Sequence, residues 1–295
     1  MSTADGLIIV DKPGGMTSHD VVARLRRLTG TRRVGHGGTL DPMATGVLVT
    51  GVGKATRLLG HLTLSDKEYR ATIRLGQATD TCDAQGQVIS GAPAGGLTLD
   101  AVRAAVAPLT GEIQQVPPAV SAIKVGGTRA YRLARSGTTP VLAPRAVTVR
   151  SFGVLSARRT GDLLDVEVTV TCSTGTYIRA LARDLGEALG VGGHVTVLRR
   201  TRAGCYDLGV ARTLDQLDAE LSVIPLARAA ADAFPARRLT GDEARRLAHG
   251  GRLPGGAAGG PGPQAAFGPD GTLIALVQEK DGVLRPVAVF APGAD

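Results

Sequence analysis

The chain has little to build rings or crosslinks from. Its 295 residues include no tryptophan, four tyrosines, four phenylalanines and three cysteines. Cys82, Cys172 and Cys205 are odd in number and far apart, which leaves neither a disulfide framework nor a C-x-x-C zinc site. They read as buried, reduced thiols. Long apolar runs are missing too. Near the N-terminus Leu7-Ile8-Ile9-Val10 is flanked by Asp5, Asp11 and Lys12 and reads as neither a signal peptide nor a membrane span, so a cytoplasmic protein is expected. The turn-rich stretch Thr79 to Gly86 lacks the glycine and terminal glutamate of an EF-hand. A P-loop at Gly51-Val52-Gly53-Lys54 is excluded because Leu48 stands where glycine is needed and Ala55 where Ser or Thr is needed. What remains is a soluble globular composition, 43% hydrophobic and 20% charged, with a formal net charge of +8. That excess of cations, at a pI of about 9.9, points to a polyanionic partner such as nucleic acid.

Hydrophobic period and turn chemistry outline the elements. Leu7 to Val10 reads as a buried strand stopped by Pro13-Gly14-Gly15, and Ser18 as the N-cap of a helix whose apolar face is Val21, Val22, Leu25 and Leu28 and which Gly30 closes. Arg24, Arg26, Arg27, Arg32 and Arg33 lie on its other face and the turn beyond; a solvated face and a phosphate-facing one stand equal. From Lys67 to Gly76, Tyr69, Ala71, Ile73 and Leu75 alternate with charged residues as a half-buried strand. A helix is expected from Leu97 to Leu109. The segment 116–145 then reads as long, irregular and cationic, with Lys124, Arg129, Arg132, Arg135, Arg145 and Tyr131, and as a nucleic-acid-facing lobe. Asp165 to Cys172 alternates as a strand with Val166, Val168, Val170 and Cys172 inward and Asp165, Glu167, Thr169 and Thr171 outward. It leads into a helix with Ile178, Leu181, Ala182, Leu185 and Leu189 on one face, which places Tyr177 and Arg179 at a strand-to-helix junction with free backbone N–H groups. Leu198-Arg199-Arg200-Thr201-Arg202 reads as extended and basic. Beyond about residue 230 come a short helix from Asp242 to Ala248, a Gly/Pro/Ala stretch at 254–263, and β segments at Gln264–Phe267, Leu273–Gln278 and Val283–Phe290.

The stretch Gly35 to Leu48 organises this reading. Gly37 and Gly38 permit φ > 0 and close backbone approach, while Pro42 fixes its own φ and holds Asp41 extended, so the Asp41 carboxylate is aimed. The apolar run after Ala44 should anchor the loop from behind.

These blocks, in their order, resemble one family. Asp11-Lys12-Pro13, Gly35 to Pro42, Lys67-Glu68-Tyr69-Arg70, Arg74-Leu75-Gly76 with Thr79-Asp80-Thr81, Gly175-Thr176-Tyr177-Ile178-Arg179 and Leu198-Arg199-Arg200 are similar to the motifs of the TruB family of bacterial tRNA pseudouridine(55) synthases. The resemblance covers about residues 6–212. The C-terminal part is similar in outline to the PUA-type RNA-binding domain of these enzymes. Such enzymes break the N1–C1′ bond of uridine, turn the base and rejoin it through C5, which calls for no cofactor and no metal. The resemblance implies Asp41 as the essential carboxylate, acting as nucleophile or as base. It implies Arg179 as the arginine that pairs with it, Tyr69 as the ring that stacks on the target base, and Leu198 as an apolar wall. His36 corresponds to the histidine that helps replace the flipped-out base, whose extrusion costs roughly a few kcal/mol, and Lys12 and Tyr177 to further substrate contacts. Lys124, Arg129 and Arg132 would hold RNA.

The expected fold is mixed α+β, with a largely antiparallel central sheet and flanking helices (the pseudouridine synthase fold) followed by a small β-rich PUA-like domain. The expected domains are 1–230, with 116–145 as an RNA-contacting insertion, and 231–295. The expected partner is the T arm of tRNA, with no membrane and no obligate protein partner, the protein acting as a monomer. An RNA-binding protein without catalysis, such as a tRNA-folding or ribosome-assembly factor, accounts equally for the charge, the lobe and the terminal domain, but not for Asp41, Tyr69 and Arg179 together.

Overall fold

The computed structural model describes residues 5–121, 124–125, 128–129, 142–256 and 262–291. The chain forms two compact units, one of residues 1–42, 46–64 and 203–295, the other of 43–45 and 65–202.

In the first unit the strand Gly6–Lys12 runs antiparallel to Thr45–Val52, with Leu7 opposite Gly51 and Lys12 opposite Gly46. Both strands are apolar on both faces, as strands buried on both sides must be. Val34–His36 pairs with the same strand, His36 opposite Thr50. The helix Ser18–Thr29 buries Val21, Val22 and Leu25 and ends at Gly30 with φ 65°. Its N-cap is Thr17, one residue before the expected Ser18: Thr17 and Asp20 form a reciprocal capping box. Ser18 is free for another task because the cap is already made.

The C-terminal residues add a five-stranded sheet in the order Ala236–Arg238, Gln264–Phe267, Leu273–Lys280, Val283–Val289, Leu253–Pro254. One face packs Ala266, Ile274 and Val277 against Leu247 of the helix Gly241–Ala248. The other presents Phe267, Leu273, Leu276 and Phe290 to a core shared with Leu7, Ile9, Val47 and Val49. Covering both faces ties this sheet to the first strands of the chain.

In the second unit five strands lie in the order Gly193–Ala203, Lys67–Leu75, Leu163–Cys172, Arg145–Thr160, Gly111–Gln115. The last four pair antiparallel, with Tyr69 opposite Val170 and Lys67 opposite Cys172. The expected alternation holds in both central strands with two exceptions: Lys67 is buried on the face of Tyr69, and Asp165 is buried as well. Asp165, expected outward, is 7% exposed because Arg74 across the strand grips its carboxylate with Nε at 2.7 Å and Nη2 at 2.8 Å. The guanidinium holds the Asp165 carboxyl below its usual range. The helix Leu99–Val106, N-capped by Thr98, continues through Leu109 as a tighter turn. The helix Ile178–Ala188 buries Ile178, Leu181, Ala182 and Leu185.

The segment 116–145 is flanked by paired strands: Gly111–Gln115 enters it, and Arg145 already lies opposite Gln115. Among the described residues, no helix is long and apolar enough to cross a membrane.

Candidate active site

The loop that carries Asp41 is built from backbone contacts in the first unit. Gly37 N–H donates to Val49 O at 2.8 Å, continuing the strand pairing of His36. Gly38 follows at φ 97°, a conformation that disfavours any side chain. Leu40 is buried, and Ser18, expected to cap the helix, holds it from both sides. Ser18 Oγ accepts from Leu40 N–H at 2.9 Å and donates to Leu40 O at 3.2 Å. On the far side of Asp41, Pro42 O accepts from Gly15 N–H at 2.9 Å and from Lys12 Nζ at 3.2 Å. Asp41 itself stays partly exposed between these two fixed neighbours.

Lys12, expected as a substrate contact, has zero exposure. Its ammonium also donates to Pro13 O at 2.8 Å and Met16 O at 2.7 Å, so it gathers the Pro13–Met16 turn and Pro42 around one charge. Buried ammonium groups persist only when so surrounded, and this one works beneath the loop. His36 is half-buried, with its ring edge-on to that of His19, centroids 5.3 Å apart at 84°.

The basic face of the first helix divides. Arg24 pairs with Asp218 and, at 3.7 Å, with Asp215, while Arg26 Nη2 donates to Val34 O at 3.1 Å. Those two are tied to the rest of the unit, although Arg26 is exposed, as are Arg27, Arg32 and Arg33.

In the second unit Arg179 is 3% exposed, far from the surface arginine that its place on a first helical turn would ordinarily give. Nη1 donates to Thr81 O at 2.7 Å and Nη2 to Val120 O at 2.9 Å, and Asp83 Oδ2 lies 3.6 Å from Nη1. Asp83 is itself fixed: its Oδ1 accepts from Thr81 Oγ1 at 2.6 Å and Gln85 N–H at 3.0 Å. The turn that carries it bends through Cys82 at φ 57° and docks on the Leu198 strand, with Val195 N–H donating to Cys82 O at 3.1 Å and Ala84 N–H to Val195 O at 2.9 Å. In the sequence this stretch, Thr79 to Gly86, shows only as rich in turn formers; its side-chain-to-backbone bonds are ordinary Asx chemistry. Asp83 was not singled out from the sequence because its partner is far away in the chain.

Tyr69 is 8% and Leu198 5% exposed, each on its strand, and Tyr177 is the half-exposed residue that opens the helix of Arg179. Lys67 shares the strand face of Tyr69 and is 6% exposed, its Nζ donating to Ser65 O at 2.7 Å. Burial first, and then the Arg200 charge, bring the Lys67 ammonium down to about 8. Cys172, its neighbour across the strand, is pushed up to about 11 by burial. Lys124 and Arg129 lie opposite each other on a two-stranded ladder of residues 124–125 and 128–129; Arg132 lies outside the described residues.

The excluded P-loop has a structural counterpart. At Gly53, φ 61°, Lys54 N–H donates to Asp5 Oδ1 at 2.8 Å, and a Cβ on Gly53 would strike Asp5. A carboxylate already occupies the turn where a phosphate would sit. Among the described residues, no group of three or more His, Cys, Asp or Glu is placed to hold a metal ion.

The motif order now has a fold beneath it, and both agree with known proteins. Residues 26–178 match the N-terminal domain of TruB family pseudouridylate synthases. The chain belongs to the TruB pseudouridylate synthase family. It is therefore an enzyme. Residues 179–229 match a tRNA pseudouridylate synthase B C-terminal domain and residues 234–291 a tRNA pseudouridine synthase II C-terminal domain. A TruB relative from Thermobifida fusca, named tRNA pseudouridine synthase B, is 60% identical over 292 residues, covering 98% of this chain and 99% of its own. One of the same name from Mycobacterium tuberculosis is 55% identical over 293 residues, covering 99% and 97%. Among solved structures, a Cbf5-Nop10-Gar1 complex contains a chain with a TM-score of 0.75 at 28% identity, covering 98% of this chain and 85% of that one. An H/ACA RNP bound to a substrate RNA containing 2′-deoxyuridine gives 0.72 at 26%, covering 98% and 86%.

Proposed function

We propose that this TruB-family enzyme converts the uridine at position 55, in the T arm of tRNA, to pseudouridine. It uses Asp41 as the catalytic carboxylate, with Tyr69 and Arg179 as the other residues acting in the reaction. Family membership and the relatives named tRNA pseudouridine synthase B support a uridine-to-pseudouridine isomerisation on tRNA. The observation that carries the choice of Asp41 is its setting. Both its neighbours in the chain are bonded through their backbones, to Ser18 on one side and to Gly15 and Lys12 on the other, while Asp41 keeps access to solvent. Catalysis rewards such fixing, since the geometry is set before the substrate arrives.

In the reaction the N1–C1′ bond breaks, a C5–C1′ bond forms, and the C5 proton departs as N1 gains one, so the nucleotide is isomerised without loss or gain of atoms. The ring of Tyr69 serves the base and its C5 proton. The target is flipped out of the folded loop, with His36 helping to fill its place, and Tyr177 and Leu198 line the base. Lys12 contributes from below by holding the loop. Lys124, Arg129 and Arg132 of the 116–145 insertion and the PUA-like residues 231–295 contact the RNA by shape and phosphate. The protein works in the cytoplasm as a monomer without an obligate protein partner.

The test is tritium release from an unmodified tRNA transcript labelled with [5-³H]uridine, followed by carbodiimide mapping of the converted nucleotide. Release with a single new stop at position 55 is expected. Release mapped to another position would overturn the site assignment, and binding without release on a panel of transcripts would overturn the activity.

A further inference from the structure

Gln115 ends the strand Gly111–Gln115 and stands at the root of the 116–145 segment, yet its side chain is only 1% exposed. Its amide lies against the backbone of Tyr177. Oε1 accepts from Tyr177 N–H at 2.8 Å, and Nε2 donates to Tyr177 O at 3.1 Å. Tyr177 opens the helix Ile178–Ala188 with no side-chain cap bond of its own. Its carbonyl also accepts from Ala180 and Leu181 N–H, at 3.1 and 3.2 Å, so the first helical turn hangs on this one peptide. Gln115 thus supplies from a distant strand the bracing that a local cap would give. A neutral primary amide suits the task, because it donates and accepts in one plane without charge. The residues that follow run along the same helix, Val120 O accepting from Arg179 Nη2 and Val116 O from Arg183 Nη2, both at 2.9 Å.

We propose that Gln115 is a positioning residue for the isomerisation, acting through Arg179. By clamping both polar groups of the Tyr177 backbone it sets the direction of the first turn, on which Arg179 stands two residues later. The proposal rests on the reading of Arg179 above. A misplacement of about 1 Å at such a group costs on the order of 100-fold in rate.

Gln115→Glu tests it, since the side chain keeps its shape and one oxygen can still accept from Tyr177 N–H. When ionised it has no donor and sets a negative charge against Tyr177 O; when protonated its hydroxyl restores the missing donor. Burial and the facing carbonyl raise the pKa of a carboxyl above its ordinary value of about 4.3. The Glu variant should therefore gain relative to wild type as pH falls. Single-turnover tritium release is compared at each pH from about 8 to about 5.5, with RNA affinity measured alongside. At the upper limit we expect a rate roughly 10- to 100-fold below wild type at unchanged RNA affinity, with the ratio climbing as pH falls. Gln115→Met should stay low throughout. A ratio that is flat with pH, or a loss confined to RNA affinity, overturns the proposal. Hydrogen exchange at Tyr177, Ala180 and Leu181 gives a readout independent of activity. If Gln115→Met does not speed it, the proposal fails even where wild type releases no tritium, whereas faster exchange beside a silent wild type places the failure with the functional reading.

Discussion

Asp41 and Arg179, the two charged residues proposed for the reaction, are held by different means. Around Asp41 the backbone of both neighbours is gripped, Leu40 by Ser18 and Pro42 by Lys12, and Asp41 itself is partly exposed. Arg179 is placed through its own side chain, buried and tied to two carbonyls and a carboxylate. The difference follows from the chemistry of each group. A carboxylate with work to do at a substrate must keep access to it, and the fold grips the peptide on either side of Asp41. A guanidinium has five N–H groups in a planar fork and can give some to the scaffold.

Two substitutions sharpen this comparison. The larger effect is expected from Arg179→Lys. A single ammonium cannot reproduce a fork that reaches Thr81 O and Val120 O while facing Asp83, so the rate of tritium release should fall about 100-fold or more with tRNA affinity retained. Equal rates in the two proteins would show that charge alone suffices and that the fork is scaffolding. The smaller is expected from Ser18→Ala, which strips both bonds from the buried Leu40 peptide without touching Asp41. Leaving a buried donor and acceptor unmet costs about 1–3 kcal/mol of stability, measured by urea unfolding, together with a rate loss of roughly tenfold. A stability loss with an unchanged rate would mean that the loop is held well enough by Pro42 alone, and that the grip on Leu40 serves the fold only.

The same contrast explains what the sequence disclosed. Elements whose cause is local were legible: the two-residue alternation of Lys67–Leu75 and of Val166 to Cys172, the apolar face of Ser18–Thr29, and the glycines and proline around Asp41. The strand Arg145–Thr160 was not, because register shifts between Val149 and Ser151 and between Val154 and Ser156 break its alternation, and its last residues are largely exposed. Long-range partners were equally hidden. Nothing near Ser18 in sequence announces Leu40, nothing near Asp83 announces Arg179, and nothing near Gln115 announces Tyr177. The surroundings of Lys12 were hidden in the same way, since the three carbonyls around its buried ammonium, of Pro13, Met16 and Pro42, come together only in the fold. Sequence motifs thus named the residues proposed for the chemistry, while the residues that hold them in place emerged only from the fold.

The most direct test of the account is single-turnover tritium release from [5-³H]uridine-labelled tRNA by Asp41→Asn, with tRNA binding measured on the same preparation. The substitution keeps the size of the side chain and leaves the Leu40 and Pro42 bonds untouched while removing the charge. The account predicts that tRNA affinity is retained and that release falls to background. Release at a rate near that of wild type would contradict it, because the carboxylate that the loop is built to present would then have no part in the chemistry.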